Sequence, residues 1–209
     1  MKLNSKFFLC TMIIAILLCS SIIVGMYQDK VYHLNQKIYE LQEQNTHYKD
    51  VYSLANHIKS VNTDINDSEA LMMASAFYDE ADSVKSGSDF ALLLAAMAEA
   101  ESHYRTDKIS SAGAKGLCQI MPATGKEYAK KNGIKFSDDS LFNPQFCIKL
   151  QARIMKDLRD EHGLSAALVA YNGGPKHAKN YEKGKKDAIP TESINYIQKV
   201  KLNLEKITK

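Results

Sequence analysis

The feature that most restricts the fold of this chain is a run of twenty uncharged residues near its start, Phe7–Met26. At 1.5 Å per residue, a helix of this length measures about 30 Å, the thickness of the hydrocarbon core of a bilayer. We therefore predict that residues 1–27 form an uncleaved transmembrane anchor. Lys2 and Lys6 precede the span, so the positive-inside rule predicts a cytoplasmic N-terminus and a chain exported to the outer side of the cytoplasmic membrane.

Two alternatives to a retained anchor stay open. A cleaved signal peptide usually has an apolar run of about 7–15 residues and a cleavage site with small residues. Here the run is longer and no such site stands out. The other alternative is a lipoprotein that carries its lipid on Cys19, although Leu18 before it is bulky and the apolar run continues beyond it.

The segment after the span, residues 28–61, is predicted to be a helical stalk. It has no Gly or Pro between Gln28 and Ser60, and its apolar positions recur at alternating steps of three and four, as in a coiled coil. In such a coil Asn45 would set the register of a parallel homodimer. A single amphipathic helix lying on the domain or the membrane is the alternative. The stripe consists of Val31, Leu34, Ile38, Leu41, Asn45, Tyr48, Tyr52 and Ala55.

The rest of the chain, residues 62–209, is predicted to form one mainly α domain. A polar segment at 62–68 marks its boundary. Helix signals follow, such as Asn143-Pro144, an N-cap and first helical residue, and no alternating apolar run predicts a confident strand. The domain is long enough for one hydrophobic core.

Composition and charge exclude several classes of protein. With 45% hydrophobic and 24% charged residues the chain is globular, and its net charge of +3 is too small to favour nucleic acid as a partner. Export permits a disulfide between Cys118 and Cys147 without requiring one. No CxxC or HExxH pattern occurs, so we expect no metal or cofactor. The histidines lack ligand spacing and are interpreted as surface or stalk residues: His33, His47, His57, His103, His162 and His177.

One helix carries a carboxylate on its apolar face. Steps of four and three place Glu101 on the same stripe as Phe90, Leu94 and Met97, whereas Glu99, about 200° round the helix, faces elsewhere. A carboxylate among apolar side chains loses solvation, so its pKa is expected to rise. A carboxyl that keeps its proton near neutral pH suits a general acid. A helix-end carboxylate that bends out to water is the structural alternative.

Further blocks follow Glu101-Ser102 in order. They are Gly116-Leu117-Cys118-Gln119, Ala170-Tyr171-Asn172 and Glu192-Ser193-x-x-Tyr196. Together, over about residues 68–200, they resemble the soluble-lytic-transglycosylase-like family, glycoside hydrolase family 23. The resemblance implies a lysozyme-like domain, of an α+β superfamily, behind the transmembrane helix and the stalk.

The resemblance also implies an activity. Such enzymes cleave the β-1,4 bond between N-acetylmuramic acid and N-acetylglucosamine in peptidoglycan, and the muramic acid 6-hydroxyl attacks C1 to leave a 1,6-anhydro end. By motif match Glu101 is the single catalytic acid and then base, and Ser102 orients it. The residues implied in substrate binding are Ser102, Gly116, Leu117, Cys118, Gln119, Tyr171, Asn172, Glu192 and Tyr196.

One residue departs from the family pattern, because Cys118 stands where Met is usual. The smaller side chain leaves open a second hypothesis, a non-catalytic scaffold that binds the cell wall. A third hypothesis is a hydrolytic muramidase, which needs a second carboxylate; Asp107 is the nearest candidate and is typical of a turn acid.

Overall fold

The computed structural model describes residues 5–209, with side chains from Phe8 onward. Lys2 and the side chain of Lys6, on which the predicted orientation depends, lie outside the described residues. The predicted mainly α fold is confirmed, since no β-strand forms within residues 5–209. The α-helices are α1 (Ser5–Val61), α2 (Asp67–Ser83), α3 (Ser88–Ser102), α4 (Pro122–Lys131), α5 (Pro144–His162), α6 (Leu164–Gly173), α7 (Pro175–Glu182) and α8 (Thr191–Ile207); short 3-10 helices span Asp138–Phe142 and Lys186–Ala188.

By its contacts the chain divides into two units, and the first comprises residues up to Lys49. Its described part is helical throughout and belongs to α1. Near the N-terminus this helix is long and apolar enough to cross a membrane, with a mean hydropathy of 2.6, and a signal sequence has the same properties. Val31, Leu34, Ile38 and Leu41 of the predicted stripe are 46–61% exposed. Coiled-coil pairing therefore stays a prediction.

The second unit runs from Asp50 to Lys209 and includes the last turns of α1. Val51, Leu54 and Ile58 are buried in its core, whereas Tyr52 from the predicted stripe is exposed. Helical periodicity identifies the apolar face of α1. Which residues of that face become buried depends on where the rest of the second unit packs against the helix. The polar segment at residue 62 ends α1 in the structure, yet the compact unit starts twelve residues before it.

Helix α3 occupies the centre of the second unit. It packs against α2 and α8, with a smaller contact to α5. Its alanines let these neighbours approach closely, and Ala91, Ala95 and Ala98 are fully buried. The helix ends at His103, whose backbone is left-handed with φ of +54°. Glu101, in the last turn, is therefore carried by the most enclosed element of the unit.

The starts of α2 and α5 are determined by capping residues in the local sequence. Asn66 and Glu69 form a capping box at the start of α2. Asn143 caps α5 by accepting a hydrogen bond from the Phe146 amide, and Pro144 is the first helical residue, as predicted.

Candidate active site

The carboxyl group of Glu101 opens into a cavity of about 650 Å³. Four parts of the chain meet here: the end of α3, the loop that follows it, the end of α6 and the first turns of α8. The lining residues are Ala100, Glu101, Lys108, Ser110, Gln119, Asn172, Thr191, Glu192, Asn195, Tyr196 and Lys199.

Burial raises the pKa of Glu101 from 4.5 to about 7. The nearby Tyr196 hydroxyl and the positive charges of Lys108 and Lys199 lower the pKa of Glu101, but burial outweighs them, and the negative charge of Glu192 adds to the rise. The expected upward shift of this pKa is confirmed. Near neutral pH the group can both give and accept a proton, which is what a general acid and base requires.

A second cavity, of about 610 Å³, lies beside the first. Gln119 and Asn172 line both cavities, so the two open on either side of this pair. Together the two cavities are called the groove. The second cavity is lined by Gln119, Ile120, Met121, Thr124, Glu127, Tyr128, Ile154, Leu158, Glu161, Ala170, Tyr171, Asn172, Gly173, Gly174 and Pro175.

Gly116 brings the loop after α3 close to the rest of the domain. Its φ is +74°, and a Cβ built there would lie 1.9 Å from the carbonyl oxygen of Leu141. The Gly116 amide donates to the carbonyl of Lys108 at 2.8 Å. Only glycine fits this position, because it combines a left-handed backbone with a close approach of two main chains.

The side chain of Gln119 also stabilises this loop through hydrogen bonds. Its backbone is left-handed, with φ of +47°. The side-chain Nε2 donates to the carbonyl oxygens of Gly116 at 2.8 Å and Lys108 at 3.1 Å. Gln119 therefore lines the groove and holds the loop in shape at the same time.

Four residues that were predicted to bind substrate line neither cavity: Ser102, Gly116, Leu117 and Cys118. The side chains of Ser102, Leu117 and Cys118 are fully buried. The Ser102 hydroxyl donates to the carbonyl of Leu117 at 2.8 Å, which ties the end of α3 to the loop. The Cys118 amide donates to Sγ of Cys147 at 3.2 Å, and both cysteines are free thiols. These residues support the loop from behind the groove.

The remaining predicted residues come together around the groove. The Tyr171 hydroxyl donates to the carbonyl of Cys118 at 2.8 Å. Asn172 Oδ1 accepts a hydrogen bond from Ser193 at 2.8 Å, which joins α6 to α8. Glu192 and Tyr196 line the first cavity, and the pKa of Tyr196 is raised by burial and by the charge of Glu101.

Sequence reasoning missed Lys108 and Lys199, which line the first cavity. The Lys108 ammonium donates to the carbonyl of Glu101, and the Lys199 ammonium donates to that of Ala100. One signal for Lys199 was present, since it stands three residues after Tyr196 on a helix and so shares its face. Lys108 lies in a loop, where spacing carries no such information.

Glu99 faces away from the groove, as predicted, but it is buried and paired. His57 Nε2 lies 2.7 Å from one carboxylate oxygen and Lys206 Nζ lies 3.3 Å from the other. His57 lies within the predicted stalk range 28–61, and its contact with Glu99 joins the last turns of α1 to α3. Among the described residues, no three His, Cys, Asp or Glu side chains are grouped to hold a metal ion.

Comparison with known proteins gives a family match and two structural matches. The model of the transglycosylase SLT domain family matches residues 79–194. An inactive mutant of the lytic transglycosylase Slt from Pseudomonas aeruginosa is 28% identical, with 51% of this chain and 17% of that chain covered and a TM-score of 0.47. The 70 kDa soluble lytic transglycosylase Slt70 from Escherichia coli is 21% identical, with 74% and 29% covered and a TM-score of 0.56.

The similarity to the Escherichia coli structure shows a shared fold over most of this chain. The chain spans less than a third of the length of either structure that it matches.

Proposed function

Because the chain belongs to the transglycosylase SLT domain family, which matches more than half of it, we propose that it is a peptidoglycan lytic transglycosylase. The observation that carries the proposal is the carboxyl of Glu101, whose pKa of about 7 lets it give and accept a proton beside a groove. Gln119, Asn172 and Tyr196 share the wall of that groove with Glu101.

The reaction begins with proton transfer from Glu101. The carboxylic acid protonates the glycosidic oxygen that links muramic acid C1 to the 4-position of N-acetylglucosamine, and the C1–O bond breaks. The positive charge that develops at C1 is stabilised by the carbonyl of the substrate's own N-acetyl group. The Glu101 carboxylate then takes the proton of the muramic acid 6-hydroxyl as this oxygen bonds to C1. The product is a 1,6-anhydro end, and Glu101 regains its proton.

A single carboxyl suffices for this scheme because the nucleophile belongs to the substrate. Most glycosidases need two carboxyl groups, one as acid and one to activate water or attack C1. An intramolecular hydroxyl is already positioned, so little translational entropy is lost when it attacks. Gln119 and Asn172 line both cavities, and we expect them to contact the sugars near the scissile bond.

The test is digestion of purified peptidoglycan by the full-length protein in detergent micelles, with the released fragments weighed by mass spectrometry. We expect fragments one water lighter than hydrolysis products from the parent protein and none from Glu101→Gln. The matched control is Glu205→Gln, which removes an exposed carboxylate on α8 and should cleave like the parent. Fragments that contain the added water would identify a hydrolytic muramidase instead. Binding by the parent without any cleavage would identify a scaffold.

We further propose that the apolar part of α1 is a retained anchor, with the N-terminus in the cytoplasm and the second unit on the cell-wall side. The length and hydropathy of the helix support an anchor, and Lys2 and Lys6 support this orientation. The mass of the protein isolated from membranes tests retention, and protease digestion of intact cells tests orientation. Loss of residues 1–27 from the isolated protein would contradict the anchor.

The exposed stripe on the first unit supports a homodimer as an additional proposal. Val31, Leu34, Ile38 and Leu41 present apolar side chains to solvent, and pairing of two copies would bury them. Analytical ultracentrifugation of residues 28–209 tests this pairing. A monomer at all working concentrations would contradict it.

A further inference from the structure

The two halves of the groove differ in their charged side chains. Lys108 and Lys199 line the first cavity, next to Glu101. Glu127 and Glu161 line the second, and among the described residues that line it there is no Lys or Arg. A strand that lies along the whole groove therefore meets two lysines, beside Glu101 and Glu192, in the first cavity and carboxylates without a lysine or arginine in the second.

Both lysines are held in place by the end of the catalytic helix. The Lys108 ammonium donates to the carbonyl of Glu101, and the Lys199 ammonium donates to the carbonyl of Ala100. An ammonium group has three donors, so each lysine keeps two for another acceptor. Because the side chains are already ordered by these contacts, less conformational entropy is lost when an anion binds.

The surroundings of the lysines favour an anion. Burial lowers the pKa of Lys108, and the positive charges of Arg105 and Lys199 lower it further. The acidic residues that line the same cavity are Glu101 and Glu192. Glu101 is protonated, and therefore uncharged, when it acts as the general acid. The cations in this half therefore outnumber the negative charges at the start of the reaction, and a carboxylate from a ligand relieves their mutual repulsion.

We infer that Lys108 and Lys199, rather than the acidic half of the groove, bind a carboxylate of the glycan strand. The inference rests on the proposed function. In peptidoglycan a carboxylate has two sources: the peptide stem of muramic acid, or the free lactyl group that is left when the stem is removed. Neutral glycan chains lack this group, so the lysines select anionic strands.

The experiment measures binding of solubilised glycan strands to full-length Glu101→Gln in detergent micelles, where no cleavage interferes. Three strand preparations are compared: strands with native stems, the same strands with their carboxylates converted to amides, and strands with the stems removed. We expect the amidated strands to bind about tenfold more weakly than native strands, and increasing salt to reduce the difference. Stemless strands that bind more tightly than native ones identify the lactyl carboxylate as the preferred group, stemless strands that bind like native ones show that the lysines accept either carboxylate, and stemless strands that bind like amidated ones identify the stem.

Substitutions of the two lysines complete the test. In the Glu101→Gln background, Lys108→Met and Lys199→Met should each weaken binding of native strands about three- to tenfold and reduce the preference over amidated strands. Lys199→Arg keeps the charge and should restore binding, which separates loss of charge from loss of folding. Lys201→Met is the matched control, because this exposed lysine on α8 does not line the groove.

Two results overturn the inference. If the lysine variants discriminate native from amidated strands as well as their parent does, the lysines do not bind the carboxylate, and the proposed function stands. If the parent binds none of the three preparations, both the inference and the proposed function fail.

Discussion

Nε2 of His57 lies 2.7 Å from Oε2 of Glu99. Glu99 is buried and belongs to α3, the helix that also carries Glu101. Lys206, on α8, reaches the other oxygen of the same carboxylate. Burial raises the pKa of Glu99, but the contacts with His57 and Lys206 outweigh this effect and hold the pKa below its ordinary value. The last turns of α1 therefore contact α3 two residues before Glu101, the candidate acid.

The first prediction is that a fragment of residues 62–209 is much less stable than one of residues 47–209. The shorter fragment lacks Val51, Leu54 and Ile58, which are buried, and it leaves Glu99 without His57. Each buried aliphatic side chain contributes about 1.5–3 kcal/mol, against a total domain stability of about 5–15 kcal/mol. Urea denaturation followed by circular dichroism measures the difference.

A matched pair of substitutions shows whether loss of the buried side chains, rather than the shorter chain itself, lowers the stability. In the longer fragment, Leu54→Ala should lower the free energy of unfolding by about 2–5 kcal/mol, and Tyr52→Ala, at an exposed position, should change it by less than about 0.5 kcal/mol. Equal stability of the two fragments would contradict the assignment of residues 50–61 to the core of the second unit.

The second prediction concerns Glu101→Gln, which should abolish cleavage while it stabilises the fold above pH 7. The pKa of Glu101 rises from 4.5 to about 7 in the folded protein. Between these values the folded state holds a proton that the unfolded chain has released, so stability falls as pH rises through this window and is level above it. The full effect is about 3 kcal/mol, and Gln does not titrate.

Denaturant unfolding of both proteins at pH 4 and pH 8 measures this effect. The stability difference should favour Glu101→Gln more at pH 8 than at pH 4. The activity of the parent should also decline above about pH 7, because Glu101 then lacks the proton that it must donate. A stability difference that does not change with pH would show that the carboxyl is not desolvated.

The third prediction compares Gly116→Ala with Gly113→Ala. Both glycines have positive φ, so alanine at either position costs about 1–2 kcal/mol in backbone strain. At Gly116 the new Cβ also meets the carbonyl oxygen of Leu141 at 1.9 Å, whereas at Gly113 nothing lies within 4 Å. We expect Gly116→Ala to lose activity and to unfold at a lower temperature than Gly113→Ala. Similar melting temperatures for the two variants would contradict the close approach.

The fourth prediction is that Cys118→Met, which restores the residue usual in the family, destabilises this protein. Cys118 is fully buried and its amide contacts the thiol of Cys147, so the longer side chain overfills the site at a cost of about 1–3 kcal/mol. Cys147→Ala in the same chain frees volume and should recover part of this loss. Thermal unfolding of both single variants and the double variant measures the coupling. Strictly additive changes would indicate that the two sites do not share space.

Most of the helical architecture was accessible from the sequence, because caps and breakers act locally. Asn143-Pro144 starts α5 and Asn132-Gly133 follows α4 through the chemistry of the residues themselves. The motif blocks also contain part of the groove lining, including Gln119, Asn172 and Tyr196. The motif blocks did not predict which way each side chain points, because Leu117 and Cys118 are fully buried in the structure.

The sequence by itself determined the helical fold class, the apolar N-terminal helix and Glu101 as the candidate acid, because periodicity and desolvation on a helix face are local properties. Only the tertiary structure decided that residues 50–61 belong to the core, that His57 pairs with Glu99, and that Lys108 and Lys199 stand beside Glu101. These partners are 42 to 107 positions apart or lie in loops, where neither spacing nor residue type predicts which groups meet.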